Sequence, residues 1–334
     1  MTKIPVTRIA VLDDYQGRAS EYADWASLGP EAEVVFFREP IGQDALARTL
    51  AGFDVLVLMR ERTRFPRPVL DALPRLRLVV TTGMRNAALD IGHLRQRGAV
   101  VCGTAGSGAA GPGVPTTVEV AWALIMAVCK RVTIEDRAIR EGRWQVGVPA
   151  TLAGATLGLA GLGRLGGAMV GPAQAFGMKV VAWSENLTQE RAASLGARSV
   201  SKAELLSESD VLSIHLVLSS RTRGLFGAGD LARMKPTSVL VNTSRGPIVD
   251  EAALIAALRE GTIAGAGLDV YDREPLPPGH ELTTLPSVVL LPHLGYVGEE
   301  GLRAMYGQVV EDIAAWTAGA PVREITANDP GLTE

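Results

Sequence analysis

The chain has 334 residues, of which 47% are hydrophobic and 21% charged, with a formal net charge of −3. That length predicts about two domains, and that apolar content supports sizeable cores and excludes a disordered chain. A near-neutral balance without a long basic run excludes nucleic acid or an anionic membrane surface as the main partner.

The N-terminal stretch Met1–Ile9 lacks the apolar core of a signal peptide. From Arg8 on, strand-like and helix-like segments alternate. Arg8–Asp13, Val34–Arg38, Asp54–Met59, Leu76–Thr82 and Ala99–Gly103 are short and mostly rich in Val, Ile or Leu. Gln43–Ala51, Pro68–Ala72 and Asp90–Arg97 read as helices between them. Such alternation predicts a parallel sheet with helices on both faces. Gly103–Pro115, with five glycines and two prolines, reads as a flexible boundary between domains. It opens a long helical pattern, Thr116–Arg143, with Thr116 or Thr117 as its N-cap. The apolar run inside it, Val120–Cys129, is too short for a bilayer, which needs about 20 residues. Cys102 and Cys129 are the only cysteines, so neither a disulfide framework nor a CxxC metal site is expected. They read as buried thiols of a cytoplasmic protein.

A second alternating run begins at Thr156, with strands Leu157–Ala160, Lys179–Trp183, Val211–Leu216, Ser238–Thr243, Gly265–Val270 and Val288–Leu291. After its first strand comes Gly161-x-Gly163-x-x-Gly166, followed by a helix-compatible segment, Leu165–Phe176. Strand, turn, helix and next strand in that order are what a dinucleotide-binding turn requires. Gly161 permits the sharp turn, Gly163 lets a pyrophosphate approach the backbone, and Gly166 lets helix and strand pack closely. The unpaired N–H groups at the helix start would face the phosphates. The tail, Glu300–Ala318, reads as one more helix, and no internal repeat is visible.

Three loops after later strands carry chemistry: Ser244-Arg245-Gly246, Tyr271-Asp272-Arg273-Glu274-Pro275 and Pro292-His293-Leu294-Gly295. If the strands are parallel, these loops and the glycine turn share the carboxyl edge of one sheet. Arg245, Glu274 and His293 would then converge beside the cofactor. A guanidinium binds a carboxylate through two parallel hydrogen bonds and polarises a carbonyl. A histidine gives a proton to a forming alkoxide, or removes one in reverse, and a glutamate beside it orients the ring and favours its protonated form. Each residue alone has a plainer reading: a structural His293, a solvated Glu274, a capping or surface-paired Arg245. His215, near the end of its strand, reads as structural, and His93 and His280 read as surface residues.

These stretches, with Met234-Lys235-Pro236, Val241-Asn242-Thr243 and Gly267-Leu268-Asp269-Val270, give the chain its resemblance to the D-isomer-specific 2-hydroxyacid dehydrogenase family, over nearly its whole length. The resemblance implies an α/β protein of two doubly wound parallel-sheet domains, the second a Rossmann dinucleotide-binding domain, with an interdomain active-site cleft. Residues 1–105 plus 299–334 would form the substrate-binding (catalytic) domain, and 106–298 the NAD(P)-binding domain. Arg245 would bind the substrate carboxylate and carbonyl, His293 would be the general acid/base and Glu274 its partner. Gly161, Gly163, Arg164, Leu165, Gly166, Ser184, Glu185, Thr243, Asp269 and Thr117 would border the cofactor, Asp269 at the nicotinamide carboxamide. The backbone of Gly83, Met84 and Arg85 would hold the substrate carboxylate. The resemblance also implies a homodimer formed through the cofactor domains and the helix near Thr116–Arg143, with no metal.

Two departures bear on these expectations. The position 18 residues after Gly166 is Ser184, where many members carry Asp, so the ribose-binding carboxylate is missing. No Arg or Lys directly follows, and Glu185 would repel a 2′-phosphate, so NAD is expected over NADP. The chain also ends soon after its closing helix, without the regulatory extension of many phosphoglycerate dehydrogenases. The expected reaction is hydride transfer between a nicotinamide cofactor and a small 2-keto or D-2-hydroxy acid, with glyoxylate and hydroxypyruvate as first choices. The loop Arg60-Glu61-Arg62-Thr63-Arg64 is a candidate specificity segment, or a solvated basic loop. Two alternatives stand beside this reading: a dinucleotide-sensing, corepressor-like interaction protein, and a dehydrogenase of formate or phosphite. A Gln replaces the Glu274 equivalent in formate dehydrogenases, which disfavours the latter.

Overall fold

The computed structural model describes residues 8–105 and 115–326. The start of Met1–Ile9 and most of Gly103–Pro115 lie outside them. Two compact units divide the chain, one within Met1–Gly111 and Gly298–Glu334, the other within Pro112–Val297.

In the first unit, β1 (Arg8–Val11), β2 (Glu33–Phe36), β3 (Val55–Leu58), β4 (Leu78–Thr81) and β5 (Val100–Gly103) form a parallel sheet of order β2-β1-β3-β4-β5. Its helices are α1 (Gln43–Leu50), α2 (Arg67–Asp71) and α3 (Ile91–Gln96). Buried Leu56, Leu58, Val79 and Val101 pack with Leu46, Leu50, Leu70 and Leu94 from these helices.

The second unit opens with α4 (Thr116–Cys129) and α5 (Val132–Arg140), where the sequence predicts one helix. The break falls at Arg131, whose φ of +57° is left-handed. The Cys129 carbonyl accepts the Ala150 N–H, and Lys130 Nζ donates to the Ala150 carbonyl, so a later segment claims the end of α4. The sheet contains β6 (Thr156–Ala160), β7 (Lys179–Trp183), β8 (Arg198–Ser199), β9 (Val211–Ile214), β10 (Val239–Asn242), β11 (Gly265–Leu268) and β12 (Val288–Leu290). Its order is β12-β11-β10-β9-β6-β7-β8, all pairs parallel. Its helices are α6 (Arg164–Ala168), α7 (Val170–Ala175), α8 (Gln189–Ser194), α9 (Lys202–Glu208), α10 (Ala228–Leu231) and α11 (Glu251–Glu260). The predicted helix Leu165–Phe176 is thus two pieces meeting at Met169, because Pro172 has no N–H to continue the ladder. Leu157 and Leu159 enter the core on one face, and Ala160 and Leu240 the core on the other, as a doubly covered parallel sheet requires.

The last helix, α12 (Glu299–Thr317), belongs to the first unit and packs on β4 and β5. Beyond it Glu324 forms an antiparallel bridge to Cys102 at the β5 edge, a pairing the sequence pattern does not reveal. No helix among the described residues is long and apolar enough to cross a membrane.

Candidate active site

The strand order of the second sheet reverses between β6 and β9, and an open α/β sheet binds ligands at such a switch point. The glycine turn lies there. A Cβ on Gly166 would stand 2.0 Å from the Gly161 carbonyl oxygen, whereas a Cβ on Gly163 would meet nothing within 4 Å. The backbone is therefore closed behind Gly166 and open above Gly163. The N–H groups of Arg164 and Leu165 at the start of α6 find no acceptor among the described residues. Ser184 follows β7 directly, and the exposed Glu185 faces Arg221 at 3.9 Å. Thr243, at the end of β10, has a buried hydroxyl without a hydrogen-bond partner. An open glycine backbone, unused N–H groups and an unpartnered buried hydroxyl on one sheet edge fit a dinucleotide.

The loops after adjacent strands β10, β11 and β12 carry Arg245, Glu274 and His293. The carboxamide of buried Asn242 shapes the first loop: its Nδ2 donates to the Arg245 carbonyl at 3.0 Å, and its Oδ1 accepts from the Ser244 N–H at 3.0 Å. Gly246 completes this turn, since a Cβ there would lie 2.1 Å from the Tyr271 carbonyl carbon. Arg245 Nη1 donates to the Ser244 carbonyl at 2.8 Å. In the second loop, Glu274 Oε1 accepts from the Tyr271 N–H at 3.0 Å, and Oε2 lies 2.6 Å from His293 Nδ1. Burial alone would raise the Glu274 carboxyl. The hydrogen bond and charge of His293, the Tyr271 N–H and the charge of Arg245 outweigh it and hold the carboxyl below its ordinary range. His293 and Arg245 thus both act on Glu274.

His293 itself has a left-handed backbone, φ +55°. The Tyr296 ring meets its imidazole edge-on at 5.4 Å. Asp269, fully buried, accepts from the N–H groups of Leu294 at 2.6 Å and Gly295 at 2.8 Å. Thr117 donates its hydroxyl to the Gly295 carbonyl at 2.6 Å. The sequence pattern does not reveal these holding contacts, nor the role of Asn242, although an Asn at a strand end is a signal for such a turn. His215 is neutral at physiological pH, because burial pushes it down to about 4, and its Nε2 meets Ser213 Oγ at 2.9 Å. His93 and His280 are paired, with Asp71 at 2.7 Å and Glu251 at 3.2 Å.

In the first unit, the loop after β4 turns at Gly83, φ +104°. The Gly83 N–H donates to Thr104 Oγ1 at 2.8 Å, so the N–H groups left without an acceptor among the described residues are those of Met84 and Arg85. Among the described residues no group of three or more His, Cys, Asp or Glu side chains could hold a metal.

A glycine turn at the switch point of a parallel sheet, with Arg, Glu and His on the same edge, defines a dinucleotide-dependent oxidoreductase. Residues 122–295 match the family model for the D-isomer specific 2-hydroxyacid dehydrogenase NAD binding domain. A glyoxylate reductase of Korarchaeum cryptofilum is 39% identical over 259 residues, spanning 75% of this chain and 76% of that protein. A glyoxylate reductase of Thermococcus litoralis is 38% identical over 300 residues, spanning 86% and 88%. The crystal structure of a phosphoglycerate oxidoreductase from Vibrio cholerae superimposes with a TM-score of 0.87 at 32% identity, covering 94% of this chain and 100% of that one. The chain belongs to the D-isomer specific 2-hydroxyacid dehydrogenase family, and membership brings with it a nicotinamide dinucleotide cofactor.

Proposed function

We propose that the protein reduces a small 2-keto acid to the D-2-hydroxy acid, with Arg245, Glu274 and His293 as its catalytic residues. The observation that carries this reading is the 2.6 Å contact between Glu274 and His293 within the field of Arg245. Bound nicotinamide dinucleotide supplies the hydride in reduction and accepts it in the reverse direction. Arg245 pairs with the substrate carboxylate and polarises the carbonyl, both tasks of a planar, permanently charged donor. His293 Nε2, which has no partner among the described residues, delivers the proton to the carbonyl oxygen as negative charge develops there. Glu274 holds Nδ1 and offsets the positive charge of the imidazolium.

Glyoxylate and hydroxypyruvate are the proposed substrates. Support comes from the relatives called glyoxylate reductase. NAD is the proposed cofactor, because the first charge after Ser184 is the carboxylate of Glu185. A homodimer is proposed on the apolar exposure of the segment from α5 onward, where Trp144 is 76% and Val148 91% exposed.

The test is oxidation of NADH, and separately NADPH, with glyoxylate, hydroxypyruvate, pyruvate, phenylpyruvate, 2-ketoglutarate and phosphohydroxypyruvate. The expected result is turnover of glyoxylate or hydroxypyruvate with NADH, lost in His293→Ala while dinucleotide binding persists. Normal turnover in that variant would remove the acid–base role. Binding of dinucleotide with no turnover across the panel would favour a dinucleotide-sensing protein.

A further inference from the structure

A residue other than glycine is uncommon in the left-handed backbone region and is held there by its surroundings. At φ +55°, His293 is such a residue. Two side chains grip the next two residues from different elements. Asp269, just past β11, takes the N–H groups of Leu294 and Gly295, one on each carboxylate oxygen, at 2.6 and 2.8 Å. Thr117, the second residue of α4, donates its hydroxyl to the Gly295 carbonyl at 2.6 Å. Gly295 leaves no slack between them: a Cβ there would stand 3.1 Å from Asp269 Oδ2 and 3.2 Å from Thr117 Cγ2.

We propose that Thr117 and Asp269 are positioning residues for His293, locking the loop that follows it so that Nδ1 stays on Glu274 and Nε2 stays available to substrate. This rests on the acid–base reading of His293. The resemblance assigns both residues to the cofactor. Yet the hydroxyl hydrogen of Thr117 is already given to Gly295, and each oxygen of the buried Asp269 already holds a main-chain N–H. Releasing the Gly295 carbonyl should let the loop relax and the imidazole leave its reactive pose, although the hydrogen bond of Thr117 goes to Gly295 and not to the ring. A displacement near 1 Å is enough to slow a reaction about a hundredfold.

The test compares the full-length wild type with Thr117→Val, Thr117→Ser and Asp269→Asn. Each is read by ring proton–carbon correlation spectra of histidine-labelled protein without cofactor, and by kcat and KM for glyoxylate. The chain has 4 histidines, so the His293 signal is identified by its loss in His293→Gln. In Thr117→Val the His293 signal should shift or broaden while the other three stay, and kcat should fall about tenfold with KM within about twofold, the loss expected for one hydrogen bond. Thr117→Ser should restore both. Asp269→Asn, which turns one acceptor into a donor facing an N–H, should move the same signal. A native His293 signal with wild-type kcat in Thr117→Val would overturn the proposal. If His293→Gln itself turns over normally, the acid–base reading fails, but the spectra still decide whether Thr117 positions the ring.

Discussion

Replacing Glu274 by Gln keeps the side chain's shape and removes its charge. The amide oxygen can still accept from the Tyr271 N–H, which lies 3.0 Å from Oε1. Its NH2 group then faces His293 Nδ1 across the 2.6 Å gap. Whenever the ring is protonated, two donors oppose each other there. The protonated ring, needed to reduce the keto acid, loses a hydrogen bond to a charged partner worth about 1.5–3 kcal/mol. At about 1.4 kcal/mol per tenfold, reduction should slow by roughly 10- to 150-fold. The assay is NADH oxidation with glyoxylate from about pH 5.5 to 9, with NADH binding followed separately by fluorescence. In Glu274→Gln the rate should fall away at lower pH than in the wild type, with NADH binding unchanged. A variant with wild-type kcat at neutral pH would refute the role given to Glu274.

Arg245→Lys should lower kcat/KM by about a hundredfold, mostly through KM for the keto acid, because an ammonium cannot make the two parallel bonds of a guanidinium; steady-state kinetics would check this. Glu185→Gln should tighten NADPH binding about fivefold in a fluorescence titration and leave NADH within about twofold, because it removes the charge facing a 2′-phosphate while Arg221 remains. Trp144→Asp should convert the proposed dimer to a monomer by light scattering, and an unchanged mass would refute a contact through Trp144. Asp312 is buried on α12, and burial pushes its carboxyl up to about 7 against the opposing pull of Arg323. The folded chain therefore holds that proton more tightly than the unfolded one. The stability this gives is complete below the ordinary carboxylate range and is lost as pH rises toward about 7. Asp312→Asn should flatten that part of the melting temperature–pH curve, and an unaltered curve would refute it.

Much of this was legible because the signals are local. Short runs of Val, Ile and Leu mark the parallel strands; β5, β6 and β7 end where the pattern predicts, and the other predicted strands end one or two residues earlier. The glycine turn marks the switch point, and the loops with Arg245, Glu274 and His293 begin where their strands stop. What was not legible depends on partners distant in sequence. Nothing between Val118 and Glu141 breaks a helical pattern, yet α4 ends at Cys129 because Ala150 bonds to its last carbonyl. β8 has two residues, too few for any periodicity. The roles of Thr117 and Asp269 depend on where the backbone atoms of Leu294 and Gly295 point, and no residue type encodes that. The Gly83 loop was readable as a turn, but not that Thr104 takes its first N–H.

The convergence of three side chains from separate loops follows from strand register. Asn242 stands level with Leu268, and Leu268 with Leu290, so the three loops start from one line across neighbouring parallel strands. With strands about 4.8 Å apart, those origins span only about 10 Å. Arg245 and His293 each lie three residues beyond that line and Glu274 six. Glu274 makes up the difference by folding back, its Oε1 accepting the N–H of Tyr271 in its own loop. The convergence of these side chains is therefore a property of register and loop length, and no single motif contains it. This is why His293 or Glu274 alone reads as structural or solvated, and why the functional reading gains weight only when all three strand ends are read together with the glycine turn.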